Sequence, residues 1–128
     1  MKKTELHSDN TPAAVGPYSQ GIRWGNLLFL SGQLGIDPIQ KKMVEGGVDA
    51  QARQIFKNIS AVLKTAGAGL DNVVKATVFL KDMGDFVTVN KIYETMFQKP
   101  FPARSAFAVK QLPLDADVEI EVIAGIGE

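Results

Sequence analysis

Asp49-Ala50-Gln51-Ala52-Arg53-Gln54-Ile55-Phe56-Lys57-Asn58-Ile59-Ser60-Ala61-Val62-Leu63-Lys64, followed beyond Gly67 and Gly69 by Val73-Val74-Lys75-Ala76-Thr77-Val78-Phe79-Leu80-Lys81, decides the fold. Ala52, Ile55, Phe56, Ile59, Val62 and Leu63 recur at helical spacing, with Arg53, Lys57 and Lys64 outside the stripe. That pattern predicts an amphipathic helix. Asp49 is the expected N-cap and Gly67 or Gly69 the stop. Residues 73–81 are rich in β-branched side chains and read as a strand. Its alternation puts Val74, Ala76, Val78 and Leu80 on one face, and Val73, Lys75, Thr77 and Phe79 on the other.

Toward the C-terminus, Asp82 is expected to cap a second helix with Asp85 at N3. Phe86, Val89, Tyr93, Met96 and Phe97 supply its apolar stripe, and Pro100 and Pro102 end it. Residues 105–110 read as a strand, 112–117 as a turn and 118–126 as the last strand. Toward the N-terminus, Gly46-Gly47 and Asp37-Pro38 break the chain. Residues 27–34 and 21–25 read as strands joined at Gly25-Asn26. Residues 9–20, with Pro12, Gly16 and Pro17, form a loop, and residues 2–7 form a short edge strand. The expected architecture is a single α/β domain over residues 1–128: one mixed sheet with two helices on one face.

Two helices cover only one face of such a sheet, yet the strands are apolar on both. Leu27 and Phe29 alternate with Leu28 and Leu30. A second apolar face left in water would be a large exposed patch, the usual mark of an association surface. Self-association is therefore expected, with sheets facing one another.

Composition narrows the chemistry. The 128 residues suit one domain, and 14 Lys+Arg balance 14 Asp+Glu, so the chain lacks the basic excess of a general nucleic-acid or membrane-surface binder. No apolar run reaches bilayer length, and Met1-Lys2-Lys3-Thr4-Glu5 leads into no signal-like apolar segment, so a cytoplasmic protein is expected. With no cysteine and only His7 as histidine, thiolate chemistry, zinc–thiolate sites and imidazole clusters are excluded. His7, near a terminus, reads as an exposed structural residue. Carboxylates, arginine, hydroxyls and backbone amides remain.

Four segments carry such groups. In the last strand Val118, Ile120 and Val122 alternate with Glu119 and Glu121, which places the glutamates on the open face. Partial desolvation there would raise a carboxyl pKa toward proton-transfer use. In Pro100-Phe101-Pro102-Ala103-Arg104-Ser105, two prolines stiffen the presentation of a guanidinium, a group that holds a carboxylate through two parallel hydrogen bonds. Ser31-Gly32, at a strand end, offers a hydroxyl and an N–H, with no phosphate-loop lysine following. Gly16-Pro17-Tyr18 fixes a tyrosine on a bend. Read singly, each also fits an ordinary structural role: a salt-bridge partner, a surface arginine, a strand bulge, a tyrosine under a loop.

Together these segments resemble the Rid (YjgF-type) family of reactive-intermediate imine and enamine deaminases, and its RidA branch most. The resemblance rests on residues 13–21 (AAVGPYSQG), 31–33 (SGQ), 74–79 (VKATVF), 102–105 (PARS) and 119–124 (EIEVIA). It implies a chorismate-mutase-like fold and a homotrimer with sites between subunits. It also implies hydrolysis of imines and enamines such as 2-aminoacrylate to 2-keto acids and ammonia, without cofactor or metal. The family's carboxylate-binding arginine falls on Arg104, its water-directing glutamate on Glu119 and its pocket tyrosine on Tyr18. Ser31, Gly32 and Asn90 match further site positions. Ala106 stands where members commonly carry cysteine, so any role of that thiol is absent here. The alternative is a regulatory module that binds a 2-keto acid without turnover. RNA cleavage and chaperone-like holding, also associated with the wider family, fit the neutral charge and the expected burial of the apolar face less well.

Overall fold

The computed structural model describes residues 2–127. Strands β1 (Lys3–Leu6), β2 (Gly21–Trp24) and β3 (Leu27–Leu30) form an antiparallel meander. A two-residue ribbon follows, β4 (Ile36–Asp37) against β5 (Lys42–Met43), then helix α1 (Gly47–Lys64). Strand β6 (Val73–Leu80), helix α2 (Phe86–Met96), strand β7 (Ala103–Ala108) and strand β8 (Val118–Gly125) complete the chain. The main sheet runs β1-β2-β3-β8-β6-β7, and only β6 and β7 pair in parallel.

This order explains why both helices share a face. β3 and β6 flank β8, each antiparallel to it, so they run parallel to one another. α1 crosses from β3 to β6 and α2 from β6 to β7, both moving the same way across the sheet. Right-handed crossovers in one direction place both connections on one side. There α1 packs on β3, β8 and α2. Leu28, Ile55, Phe56, Ile59, Leu63, Leu80 and Ile120 are fully buried between the layers. Cutting a ring such as Phe56 back to alanine costs about 3–5 kcal/mol.

The opposite face is bare. Leu28 and Leu30 are 0% and 6% exposed, whereas Leu27 and Phe29 beside them are each 41% exposed. Phe107, Trp24 and Val74 are exposed too. The expected two-sided apolar sheet is therefore present, with one side open in the single chain.

Local details depart from the sequence expectations. α1 starts at Gly47, with Gly46 (φ 114°) as its cap, because the two glycines supply the left-handed entry. Asp49 lies instead in the first turn and accepts from Arg53 Nε at 2.8 Å. Gly67 (φ 71°) ends the helix: its N–H reaches the Lys64 carbonyl and the Ala68 N–H that of Leu63, a Schellman closure. Asp82 caps a 3₁₀ turn, Met83–Asp85, that leads into α2, accepting from the Gly84 N–H. A register shift between Val73 and Lys75 turns Val73 into the core and Val74 outward, the reverse of strict alternation. β7 begins at Ala103 because its parallel ladder with β6 already holds Lys75 against that residue. β3 stops at Leu30, and Ser31-Gly32 bulges out before Gln33 rejoins the sheet opposite Ile120.

Candidate active site

That bulge builds the first group of candidate residues. Gln33 and Ile120 exchange backbone hydrogen bonds of 2.8 and 3.2 Å, which brings Gly32 against Glu119. A Cβ at Gly32 would overlap Glu119 Oε2 and lie 3.0 Å from its carboxyl carbon, so only glycine leaves room for this carboxylate. Burial, and secondarily the charge of Glu121, raises the Glu119 pKa above the usual glutamate range. Glu121 pairs across the sheet with Thr77 and is exposed, whereas Glu119 is half-buried opposite Phe79.

Ser31 serves this corner as a tie. Its hydroxyl donates to the Ser19 carbonyl at 2.6 Å and its N–H to the Gln20 carbonyl at 3.0 Å. The hydroxyl proton that the sequence offered to a ligand is thus committed to the loop carrying Tyr18. Gln20, 2% exposed, fixes the same loop from inside. Its side chain accepts from the Ser8 N–H and donates to the carbonyls of Ser8, Thr11 and Pro12. Sequence reasoning passed over Gln20; a glutamine flanking a Pro/Gly-rich loop was its only signal. Tyr18 stands exposed on the Gly16 bend, its hydroxyl accepting from the Val15 N–H at 3.4 Å. Tyr18 and Gly32 line one cleft of ≈ 570 Å³, with His7 on its wall. His7 is itself exposed and bonded to Asp9 at 3.0 Å.

The second group lies on the other side of the sheet. Arg104 Nη1 donates to Asn90 Oδ1 at 2.6 Å, and its guanidinium carbon sits 4.8 Å from the Tyr93 ring centre and 5.3 Å from that of Phe86. Asn90, Tyr93, Phe101, Pro102 and Arg104 line a cleft of ≈ 380 Å³. Ala106 projects on the same side of β7 as Arg104 and packs on the core. Another cleft, ≈ 680 Å³ along α1, contains none of the candidate residues.

Register shows that the two groups are separate. Arg104 pairs with Ala76 and Ala76 with Val122, both buried beneath the helices. Glu119 pairs with Phe79 and Phe79 with Phe107, on the open face. Two strand spacings and three residues of rise set the Arg104 and Glu119 Cα atoms about 14 Å apart, with side chains on opposite faces. The chain therefore brings Tyr18, Ser31, Gly32 and Glu119 together, and Arg104, Asn90 and Ala106 together, without joining the two sets. Among the described residues no cluster of three or more His, Cys, Asp or Glu could hold a metal, and no helix is long and apolar enough to cross a membrane.

Sheet topology and helix placement are those of a Rid-type α/β domain, and the chain belongs to that family: its model, described as Endoribonuclease L-PSP, matches residues 8–126. Among its relatives, a mouse protein named 2-iminobutanoate/2-iminopropanoate deaminase is 49% identical over 119 residues, 93% of this chain and 88% of that one. The crystal structure of RidA from an Antarctic Psychrobacter superposes with a TM-score of 0.92 at 44% identity, covering 96% of this chain and 99% of the other. A Rid-family protein from Yersinia pestis reaches 0.95 at 44% identity, covering 98% and 100%. The expected single α/β domain, with its mixed sheet and two helices, is the fold of these relatives.

Proposed function

We propose that this chain is a 2-iminobutanoate/2-iminopropanoate deaminase, working in the cytoplasm as a homotrimer whose sites are completed between subunits. One observation carries the composite site: Arg104 and Glu119 lie on opposite faces of one sheet, too far apart to grip a three- or four-carbon substrate within one chain. Leu27, Phe29 and Phe107, exposed on the same sheet face as Glu119, give a second copy an apolar surface to cover.

In the assembled site Arg104 of one subunit holds the substrate carboxylate. Glu119 of the next, with Tyr18 and the Gly32 amide, lines the reacting end. An enamine first tautomerises to the imine, its terminal carbon gaining a proton as its nitrogen loses one. Water then adds to the C=N carbon, its proton passing through Glu119 to the nitrogen. The resulting carbinolamine expels ammonia and leaves a 2-keto acid. A carboxyl group with a raised pKa accepts and returns a proton more readily near neutral pH than an ordinary glutamate. Positioning by the guanidinium supplies the rest. The family description names a nuclease, but a chain of zero net charge offers no cationic excess for a phosphate backbone. Turnover also separates this reading from a 2-keto acid sensor built on the same pocket.

The test couples a serine or threonine dehydratase to the protein and follows imine loss and 2-keto acid release. Acceleration by the wild type, with the Arg104→Ala variant folded and inactive, is the expected result. Binding without acceleration favours the sensor, and undiminished turnover by Arg104→Ala overturns the assignment.

A further inference from the structure

The carboxylate anchor stands on an aromatic support that reaches into the core. Tyr93 is 4% exposed, and the little of it that reaches the Arg104 cleft lies beneath the guanidinium. The same ring lies 4.8 Å beneath the guanidinium carbon. Behind it, Tyr93 packs on Phe97 with ring centres 4.6 Å apart and on Phe56 at 6.2 Å, and those two rings meet at 5.7 Å. Phe56 belongs to α1, Tyr93 to α2 and Phe97 to the residue that ends α2, so the trio is locked by the helix–helix contact. The Tyr93 hydroxyl is buried and has no hydrogen-bond partner among the described residues. The face of its ring is turned to Arg104.

We infer that Tyr93 is the positioning residue for Arg104: its ring, anchored on α2 in the helix–helix contact, supports the guanidinium from below while Asn90 fixes its rotation from the side. A cation over an aromatic face is attracted by the ring quadrupole, and burial of that ring strengthens the effect. With one N–H committed to Asn90 and one plane face to Tyr93, the remaining donors are presented to the carboxylate in a fixed orientation. A flexible arginine would have to be ordered at each binding event, and preorganisation removes that cost. The inference rests on the proposed role of Arg104 as carboxylate anchor.

The test compares Tyr93→Phe, Tyr93→Leu and Phe97→Leu. Phenylalanine keeps the ring and removes only the unpartnered hydroxyl, so KM stays within about twofold of wild type and thermal stability does not fall. Leucine at 93 removes the support, and KM rises roughly five- to thirtyfold with kcat little changed. Phe97→Leu damages the same aromatic cluster without removing the ring beneath Arg104. It serves as the structural control, lowering the melting temperature while leaving KM near wild type. Equal KM shifts in Tyr93→Leu and Phe97→Leu, or none in Tyr93→Leu, overturn the inference. Affinity for 2-oxobutanoate, measured by calorimetry on the same proteins, separates this from the functional reading. A wild type that binds the keto acid without turning over imine refutes the deaminase, and the Tyr93→Leu loss of affinity still decides the support. A wild type that neither turns over nor binds refutes both.

Discussion

A single methyl group at Gly32 interrogates the placement of Glu119. The added Cβ would overlap Glu119 Oε2 and stand 3.0 Å from the carboxyl carbon and 3.2 Å from Cγ. Ordinary carbon contacts are about 3.5–4.0 Å, so the carboxylate must retreat by on the order of 1 Å. Gly32 lies outside the left-handed region, so alanine fits its backbone and the fold survives. A misplacement of about 1 Å in a proton-transferring group costs roughly 10²-fold. That corresponds to about 2.7 kcal/mol of barrier. Carboxylate binding through Arg104 is untouched, so the loss falls on kcat, with KM changing less than about threefold. The dehydratase-coupled assay reads both constants. Gly69→Ala, whose new methyl meets nothing within 4 Å, is the control and keeps wild-type rates. A Gly32→Ala protein that assembles normally and retains wild-type kcat would show that the Glu119 position does not matter to the chemistry.

Two further predictions concern stability. Burial holds the proton on Glu119 more tightly in the folded protein than in the unfolded chain, so ionising it as pH rises through and above the ordinary glutamate range costs stability. Glu119→Gln escapes that cost: it melts higher than wild type at pH 7, the gap closes below about pH 4, and turnover falls by roughly 10²–10⁴-fold. Thermal scans across pH that show a constant or reversed gap contradict this. Asn58 is fully buried, and its amide nitrogen donates to the carbonyls of Leu34 and Ile36 at 3.2 and 3.0 Å. Asn58→Leu removes both donations; the Leu34 carbonyl keeps the Ile36 N–H at 2.8 Å while the Ile36 carbonyl loses its side-chain donor, a loss of about 1–3 kcal/mol that denaturant titration followed by Trp24 fluorescence would detect.

The order of elements, the buried stripe of α1 and the two-sided β3 and β8 were legible because side-chain period alone determines them. Glu119 was legible as an open-face carboxyl for the same reason. Where the reading slipped, the cause is local geometry that residue type does not encode. Val73 and Val74 are chemically identical, so nothing in their names marks the bulge that exchanges their faces. Asp49 and Asp82 are good capping residues, but Gly46-Gly47 and an intervening 3₁₀ turn displaced the helix starts. The β4–β5 ribbon, two residues a side and joined through Lys41 at φ 60°, is too short to show alternation. Tyr93 was read as one more core position of α2, because a ring that both fills the core and supports a cation leaves the same periodic trace as one that only fills it. The separation of Arg104 from Glu119 required register, which pairs strands distant in sequence.

Mixing two inactive variants tests the composite site most directly. Arg104→Ala and Glu119→Gln are unfolded together in equal amounts and refolded, then assayed for imine turnover. If Arg104 acts from one subunit and Glu119 from its neighbour, random assembly into a closed ring gives about one site in four both intact residues, and about a quarter of wild-type activity returns. If both act within one chain, no assembly contains an intact site, and the mixture stays as inactive as its parts.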